Sequence, residues 1–521
     1  MLAGKEQVRK RLAAGLTTPM IRRMVLDADA AYLAVKARDA RFDGRLFIGV
    51  TSTGVYCRPV CRVRCPKREN CRFFDTRAQA EAAAFRPCMK CRPEIAPGLS
   101  QMDSSRTLAD AAARWIENAV HSAQAVSIPT LAARLGVTDR HLRRIFQAAH
   151  GVAPHDYLTT HRLLLAKQLL TDTTQPVTQV ALASGFESLR RFNAAFAERY
   201  RFNPTQLRRE RGPASSARSA QPATALRLAY RPPYDVQAVL KFFALRQVLG
   251  VEQVEGLTLR RTVGWLHRGQ RITGWVSSTF VPERNEVQVN ASASLSPVLG
   301  ALMQRVRHTL DLDADPALID PVMALLPVPL RLGIRLPGVM DGFEGALRVI
   351  LGQQVTVKAA RTLVQRVVDR FGEPIETPFA ALTHVFPHAD VIATADPEVI
   401  GKLGIVRQRV KALQALAAAV VAGSLTLHRD APLQTTLDAL RALPGVGEWT
   451  AQVIAMRALA WPDAWPASDI GLMNALGAKD KRSGPRNLAR EAKHISALAE
   501  PWRPWRAYAV MRLWHHLETT A

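Results

Sequence analysis

Leu443–Ala451 reads LPGVGEWTA, with helical stretches such as RVKALQALAAAVVAG (Arg409–Gly423) upstream of it. An L-P-G-x-G run between two helices predicts a tight hairpin. Gly445 and Gly447 would leave backbone N–H groups open at the start of the second helix. Such a nest holds a phosphate without reading base sequence, so both glycines are candidate DNA contacts. An ordinary helix turn would give the same spacing without function. Further on comes WPASDIGLMNAL (Trp465–Leu476), with Asp469 at the start of the next predicted helix. An aspartate there is ordinarily an N-cap. Beside a developing cation, the same carboxylate is an electrostatic stabiliser.

The region around the hairpin resembles the glycosylases of the helix-hairpin-helix superfamily, and AlkA, the alkylated-base glycosylase, most closely. LRLAYRPPYDVQAVLKFFALR (Leu226–Arg246), LPGVMDGFEGALRVILGQQVT (Leu336–Thr356) and PWRPWRAYAVMRLWHHLE (Pro501–Glu518) carry the likeness over 226–518. The resemblance implies an α+β N-terminal domain over 226–336 and an all-α glycosylase domain over 337–518. It makes Asp469 the catalytic carboxylate, and Phe242, Trp449 and Trp514 the aromatics of the base pocket. Electron-rich rings suit a base made cationic by alkylation and flipped out of the duplex. Core packing is the bland alternative for each ring. Some relatives have a strand-cutting lysine where Trp449 stands, so base removal alone is expected. No cysteine follows Cys91, which excludes an iron–sulfur cluster. Gln354 stands where the family drives an apolar wedge into the duplex. Val453 and Ile470 stand where AlkA has tyrosines.

All six cysteines lie between Cys57 and Cys91. Cys57 and Cys61 are spaced C-x3-C, and Cys88 and Cys91 C-x2-C. Two such pairs can each grip a metal from one turn and together give one Zn2+ four thiolates. A purely structural zinc is one reading. TSTGVYCRPVCRVR and ENCRFFDTRAQAEAAAFRPCMKCRP, within 25–98, resemble the N-terminal domain of the Ada methyl-response proteins. The resemblance implies a small zinc-bound α+β domain in which Cys57 accepts a methyl from a methylated DNA phosphate. Cys61, Cys88 and Cys91 complete the metal site. Thr53, Arg64 and Arg86 then face the DNA backbone, and Cys65 and Cys71 are bystanders. A thiolate is the reactive form of cysteine, and a metal keeps it deprotonated at neutral pH.

Between these halves, 105–210 reads as helices carrying one motif twice. IPTLAARLGVTDRHLRRIFQAAHGVAP (Ile128–Pro154) predicts a short helix over 131–135 and a turn at Gly136. A second helix then starts at a Thr138 cap and presents Arg140, His141, Arg143 and Arg144. VTQVALASGFESLRRFNAAFAERYRFNPTQLR (Val177–Arg208) repeats this, with Gly185 as the turn, Ser188 as the cap and Arg190, Arg191 and Asn193 as candidate readers. Two copies joined by HRLLLAKQLL resemble the DNA-binding region of AraC-type regulators, which Ada proteins carry after their zinc domain.

The chain of 521 residues bears a net charge of +26, which favours a polyanionic partner: alkylated and promoter double-stranded DNA. Residues 1–24 read as a tail and 211–225 as a small, polar linker. RTVGWLHRGQRITGWVSSTFVPERNEVQVNAS (Arg261–Ser292) alternates as strands, with turns at Arg268-Gly269 and Pro282–Asn285. No export or membrane segment is visible, so a cytoplasmic monomer meeting RNA polymerase at promoters is expected. The expected architecture is multidomain and mainly α. The expected function joins single-turnover methyl capture to excision of bases such as 3-methyladenine. A DNA-binding regulator with a silent glycosylase half is the alternative. Ada's P-C-H-R acceptor motif is absent, so O6-methylguanine repair is not expected.

Overall fold

The computed structural model describes residues 28–39, 42–43, 46–94, 101–121, 127–173, 175–210, 226–267, 269–478 and 485–520. The predicted tail over 1–24 and linker over 211–225 lie outside them. No helix among the described residues is long and apolar enough to cross a membrane.

The cysteine region forms a four-stranded sheet of β1 (Phe47–Val50), β2 (Val55–Cys57), β3 (Cys71–Phe74) and β4 (Arg86–Pro87), in the order β3-β1-β2-β4. β1 pairs antiparallel with β2 and β3, while β2 and β4 run parallel. Parallel pairing brings the ends of β2 and β4 together, so the chain exits both strands at one edge with Cys57 and Cys88. The helix Arg77–Ala82 precedes β4 and starts at a capping box between Thr76 and Gln79.

The region that carries the repeated motif is helical. Ile128–Arg134 is capped by Ser127, and it begins three residues earlier than expected because Pro129 is well tolerated in a first turn. Gly136 takes φ 69°, and Thr138 Oγ1 accepts the His141 N–H at 3.2 Å to start the helix Asp139–His150. The second copy uses the same chemistry. Gly185 takes φ 83°, and Ser188 Oγ accepts the Arg191 N–H at 3.2 Å to start Leu189–Tyr200. Each cap is worth about 1 kcal/mol.

The C-terminal half opens with a five-stranded antiparallel sheet. Its strands are β5 (Leu226–Ala229), β6 (Glu252–Glu255), β7 (Thr258–His267), β8 (Gln270–Val281) and β9 (Glu286–Ala291), in the order β5-β9-β8-β7-β6. β7 and β8 pair down to His267↔Gln270 on either side of the predicted Arg268-Gly269 turn, of which Arg268 lies outside the described residues, and Asn285 takes φ 52° before β9. The helices Leu299–Thr309 and Pro316–Met323 follow, and from Gly342 the described regular structure is helical apart from the two-residue strands Glu373–Pro374 and His384–Val385. The helix Gly342–Leu351 is buried along almost its whole length. It begins with glycine because a Cβ there would stand 1.9 Å from the Leu427 carbonyl oxygen.

Candidate functional site

Asp469 caps the helix Ile470–Ala475, as its position suggests, and does more. Its Oδ1 accepts the Leu472 N–H at 2.9 Å and the Trp514 indole N–H at 3.1 Å. Its Oδ2 accepts the Trp449 indole N–H at 2.8 Å. Trp449 comes from the first turn of the helix Glu448–Ala458 and Trp514 from the helix Arg506–Thr520. Three elements thus converge on one carboxylate. Gly471 permits the approach: a Cβ there would lie 2.9 Å from Asp469 Oδ1 and 3.4 Å from the Trp514 ring. All three side chains line a cavity of about 420 Å³, within the range that holds a small molecule.

Phe242 lines the same cavity but differs from expectation. It is only 5% exposed, and its ring carries the Arg246 guanidinium at 3.8 Å and that of Arg457 at 4.9 Å. Cations of the protein itself therefore occupy a ring expected to meet a cationic base. Val453 lines the cavity, whereas Ile470 is 51% exposed and does not line it. The same wall carries a closed group of four charges, of which Glu252, Arg261 and Glu344 are buried and Arg348 is half-buried. Arg261 meets Glu344 at 2.6 Å, and Arg348 meets Glu252 at 2.7 Å and Glu344 at 2.8 Å. Burial pushes the Glu344 carboxyl upward, but Arg261 and Arg348 outweigh it and hold it below the usual range. Breaking such a group on one side strands a buried charge.

The hairpin has the predicted form. Gly445 takes φ 76° and Gly447 caps the second helix in extended backbone; both are exposed, while Val446 is buried beneath them. Arg441 clasps Glu448 across the turn through Nε at 2.7 Å and Nη2 at 3.0 Å. The neighbouring Gln353, which sequence reasoning missed, ties a second loop to it. Its Nε2 donates to the Gly445 carbonyl at 2.9 Å and to Thr450 Oγ1 at 2.8 Å. Gln354 follows, exposed and at φ 54°. Gln354 and the two hairpin glycines, both expected to meet DNA, thus share one scaffold.

In the N-terminal domain, the Sγ atoms of Cys57, Cys61, Cys88 and Cys91 lie within 4.8 Å of one another. The Cys88 N–H donates to the Tyr56 carbonyl at 3.0 Å, which fixes the two strand ends side by side. A tetrahedral Zn2+ with Zn–S bonds near 2.3 Å needs sulfurs about 3.8 Å apart, so the donor set fits one such ion. Hydrogen bonds among the sulfurs push the Cys57 thiol up and pull the Cys61 thiol down. Four bare thiolates repel, and a divalent cation lets them ionise together. Arg58, 1% exposed, was missed by sequence reasoning. It donates from Nε to Asp43 Oδ1 at 2.7 Å and pairs a second time through Nη2. Thr53, Arg64 and Arg86 are exposed. Cys65 is exposed and Cys71 is buried, and both stand outside the four-sulfur group. The Cys71 thiol donates to the Lys67 carbonyl at 3.3 Å.

On the helices Asp139–His150 and Leu189–Tyr200, Arg140, Arg143, Arg144, Arg190, Arg191 and Asn193 are exposed and His141 is half-buried. Arg143 is paired with Asp139 at 2.9 Å, and Arg144 with His141 at 3.0 Å.

Four families match along the chain in order. Residues 30–94 match the metal binding domain of Ada, and 131–210 a helix-turn-helix domain. Residues 225–341 match the AlkA N-terminal domain, and 347–500 the HhH-GPD superfamily of base excision DNA repair proteins. Fold and site together define a DNA-repair chain in which an Ada-type regulator is fused to a glycosylase of the AlkA type. A protein of Mycobacterium tuberculosis (strain CDC 1551 / Oshkosh) named "Probable bifunctional transcriptional activator/DNA repair enzyme AlkA" is 37% identical over 500 residues, covering 94% of this chain and 97% of its own. The chain belongs to this family of bifunctional transcriptional activator/DNA repair proteins. DNA-3-methyladenine glycosylase 2 of Escherichia coli (strain K12) is 32% identical over 291 residues, which is 55% of this chain and 96% of that one. Regulatory protein ada of Salmonella typhimurium (strain LT2) is 34% identical over 167 residues, 32% of this chain and 45% of that one.

Proposed function

We propose that the chain repairs and reports DNA alkylation by two chemistries. In the C-terminal half, an alkylated purine flipped from the duplex enters the cavity bounded by Trp449, Trp514 and Phe242. The C1′–N bond breaks with its electron pair moving to the base, and Asp469 stabilises the cationic sugar until water adds to C1′. The single observation that carries this reading is the Asp469 carboxylate, oriented by two indole N–H groups on the wall of a base-sized cavity. No lysine lines that cavity among the described residues, which supports base release without strand cleavage. Gly445, Gly447 and Gln354 hold the backbone and the vacated stack.

In the N-terminal half, Cys57 Sγ attacks the methyl carbon of a methylphosphotriester. The methyl C–O bond breaks, its electrons return to the phosphate oxygen, and the cysteine becomes a thioether. A bound Zn2+, held by Cys57, Cys61, Cys88 and Cys91, supplies the deprotonated sulfur at neutral pH. Losing one negative charge weakens repulsion from the DNA that Thr53, Arg64 and Arg86 face. The modified protein then grips promoter DNA through the two recognition helices and meets RNA polymerase there as a monomer in the cytoplasm. Each molecule captures one methyl.

Asp469→Asn tests the first chemistry. Base release from methylated duplex DNA should fall at least about a hundredfold, the usual scale for losing a transition-state electrostatic contact. Equal release by variant and parent would leave the C-terminal half a DNA-binding module only.

A further inference from the structure

Five arginines line the cavity: ion pairs account for three of them, Arg361 is exposed to solvent, and Arg457 is left over. Arg261 and Arg348 balance Glu252 and Glu344, and Arg246 meets Glu518 at 3.3 Å. Among the described residues, Arg457 has no carboxylate at ion-pair distance. It donates only to backbone carbonyls, from Nε to Pro337 at 3.2 Å and from Nη2 to Gly338 at 3.1 Å. Burial, then the nearby Arg246 and Arg348, push its pKa down to about 9. Arg457 is half-buried, and a cation drawn out of water without an anion is costly unless something else accepts from it. Thr309, 1% exposed, lines the same cavity, and its Oγ1 has no hydrogen-bond partner among the described residues. Gly338 links the two, since its N–H donates to the Thr309 carbonyl at 3.0 Å.

Arg457 lies in the last turn of the helix whose first turn carries Trp449. Some 12 Å of helix axis separates them, which is room for a purine. The sugar-facing carboxylate, bonded to Trp449, is therefore at one end of the cavity and the spare donor at the other. We infer that Arg457 and Thr309 form a subsite for a lactam edge. Arg457 donates to the exocyclic carbonyl oxygen of an alkylated guanine, and Thr309 Oγ1 accepts from the adjacent ring N–H. An alkylated adenine offers an amino group where the carbonyl would be, and meets Arg457 donor to donor. The charge distribution works in the same direction. A cation at the inner end disfavours the charged bound nucleoside and favours the neutral departing base, so the contact strengthens as the bond breaks.

This inference rests on the glycosylase reading, and one experiment separates the two. DNA treated with dimethyl sulfate carries 7-methylguanine and 3-methyladenine together, both cationic as nucleosides. The full-length protein is incubated with it, and both freed bases are quantified from the same tube. Their ratio does not depend on the fraction of protein that is folded. Arg457→Met should lower the 7-methylguanine to 3-methyladenine rate ratio about tenfold or more, and Arg457→Lys should restore part of it by keeping a cationic donor. An unchanged ratio in Arg457→Met, or a parent that frees 3-methyladenine but no 7-methylguanine, overturns the subsite and leaves the glycosylase standing. A parent that frees neither base overturns both.

Discussion

The indole N–H of Trp449 donates to Asp469 Oδ2 at 2.8 Å, across twenty residues of chain. A ring expected to do no more than stack on a base therefore also aims the carboxylate. Trp514 does the same to the other oxygen at 3.1 Å. Hydrogen bonds to a charged group are worth roughly 1.5–3 kcal/mol each. Trp449→Phe and Trp514→Phe keep an aromatic wall and lose the donor. Single-turnover base release should slow about tenfold to a hundredfold in each. In an Asp469→Asn background the same changes should cost much less, because the partner oxygen is gone. Equal losses in both backgrounds would mean that the rings act by packing alone.

Gly445 holds φ 76°, and the nearest atom to an added Cβ, Ala412 Cβ, is 3.5 Å away. Space is adequate, so alanine there is opposed by backbone conformation, at roughly 1–2 kcal/mol. The hairpin should relax and misplace its phosphate-facing N–H groups. Gly445→Ala is expected to weaken binding about tenfold, equally for alkylated and undamaged duplexes, since a backbone contact reads no base. Fluorescence anisotropy on both duplexes checks this. A loss confined to alkylated DNA would place the defect in the cavity instead.

What the sequence disclosed was local. The cysteine spacings, the L-P-G-x-G turn, both helix caps and Asp469 are defined by residues a few positions apart, and each is found where expected. The missed features join distant residues. Gln353 reaches Gly445, Arg261 reaches Glu344 and Arg58 reaches Asp43, and no local pattern announces such partners. Two signals could have been read. Glu344 and Arg348, four apart inside the apolar run EGALRVIL, are a buried and a half-buried charge in need of partners. Arg246, four residues after Phe242, was poised to cover that ring. Ile470, which stands where AlkA has a tyrosine, opens its helix and is 51% exposed.

Asp311 is a half-buried carboxyl at φ 51° that accepts the Leu336 N–H and the Tyr508 hydroxyl, both at 2.9 Å. Burial outweighs these bonds and the neighbouring Arg335 and Arg429, and raises its pKa from 3.8 to about 6. Between those values the native state holds a proton that the unfolded state has released. Stability from this group is therefore present at low pH and lost as pH rises through about 6. The loss amounts to roughly 3 kcal/mol at neutrality. Asp311→Asn retains an acceptor, suits the left-handed backbone and removes the titration. Thermal unfolding from pH 4 to 7 should show the parent losing stability relative to the variant as pH increases. Parallel curves would mean that Asp311 ionises normally.

The last expectation concerns which sulfurs matter. Cys57, Cys61, Cys88 and Cys91 converge, while Cys65 is exposed and Cys71 is packed among Ala31, Leu46 and Ile48. Cys65→Ser should therefore bind one zinc per chain and capture one methyl, as the parent does. Cys71→Ala should do both with a modest loss of stability. Cys88→Ser, like Cys57→Ser, leaves three thiolates, so it should hold zinc more weakly and lose stability in this domain, because structural metal binding is folding energy in so small a unit. Cys57→Ser separates the roles: three thiolates can still hold the ion weakly, but no sulfur remains at the acceptor position. After incubation with methylated DNA, peptide mass should show one added methyl on Cys57 in the parent and in Cys65→Ser, and none in Cys57→Ser or after chelation. A methyl found on Cys65 would move the acceptor outside the four-sulfur group. Capture that survives chelation would detach the chemistry from the metal.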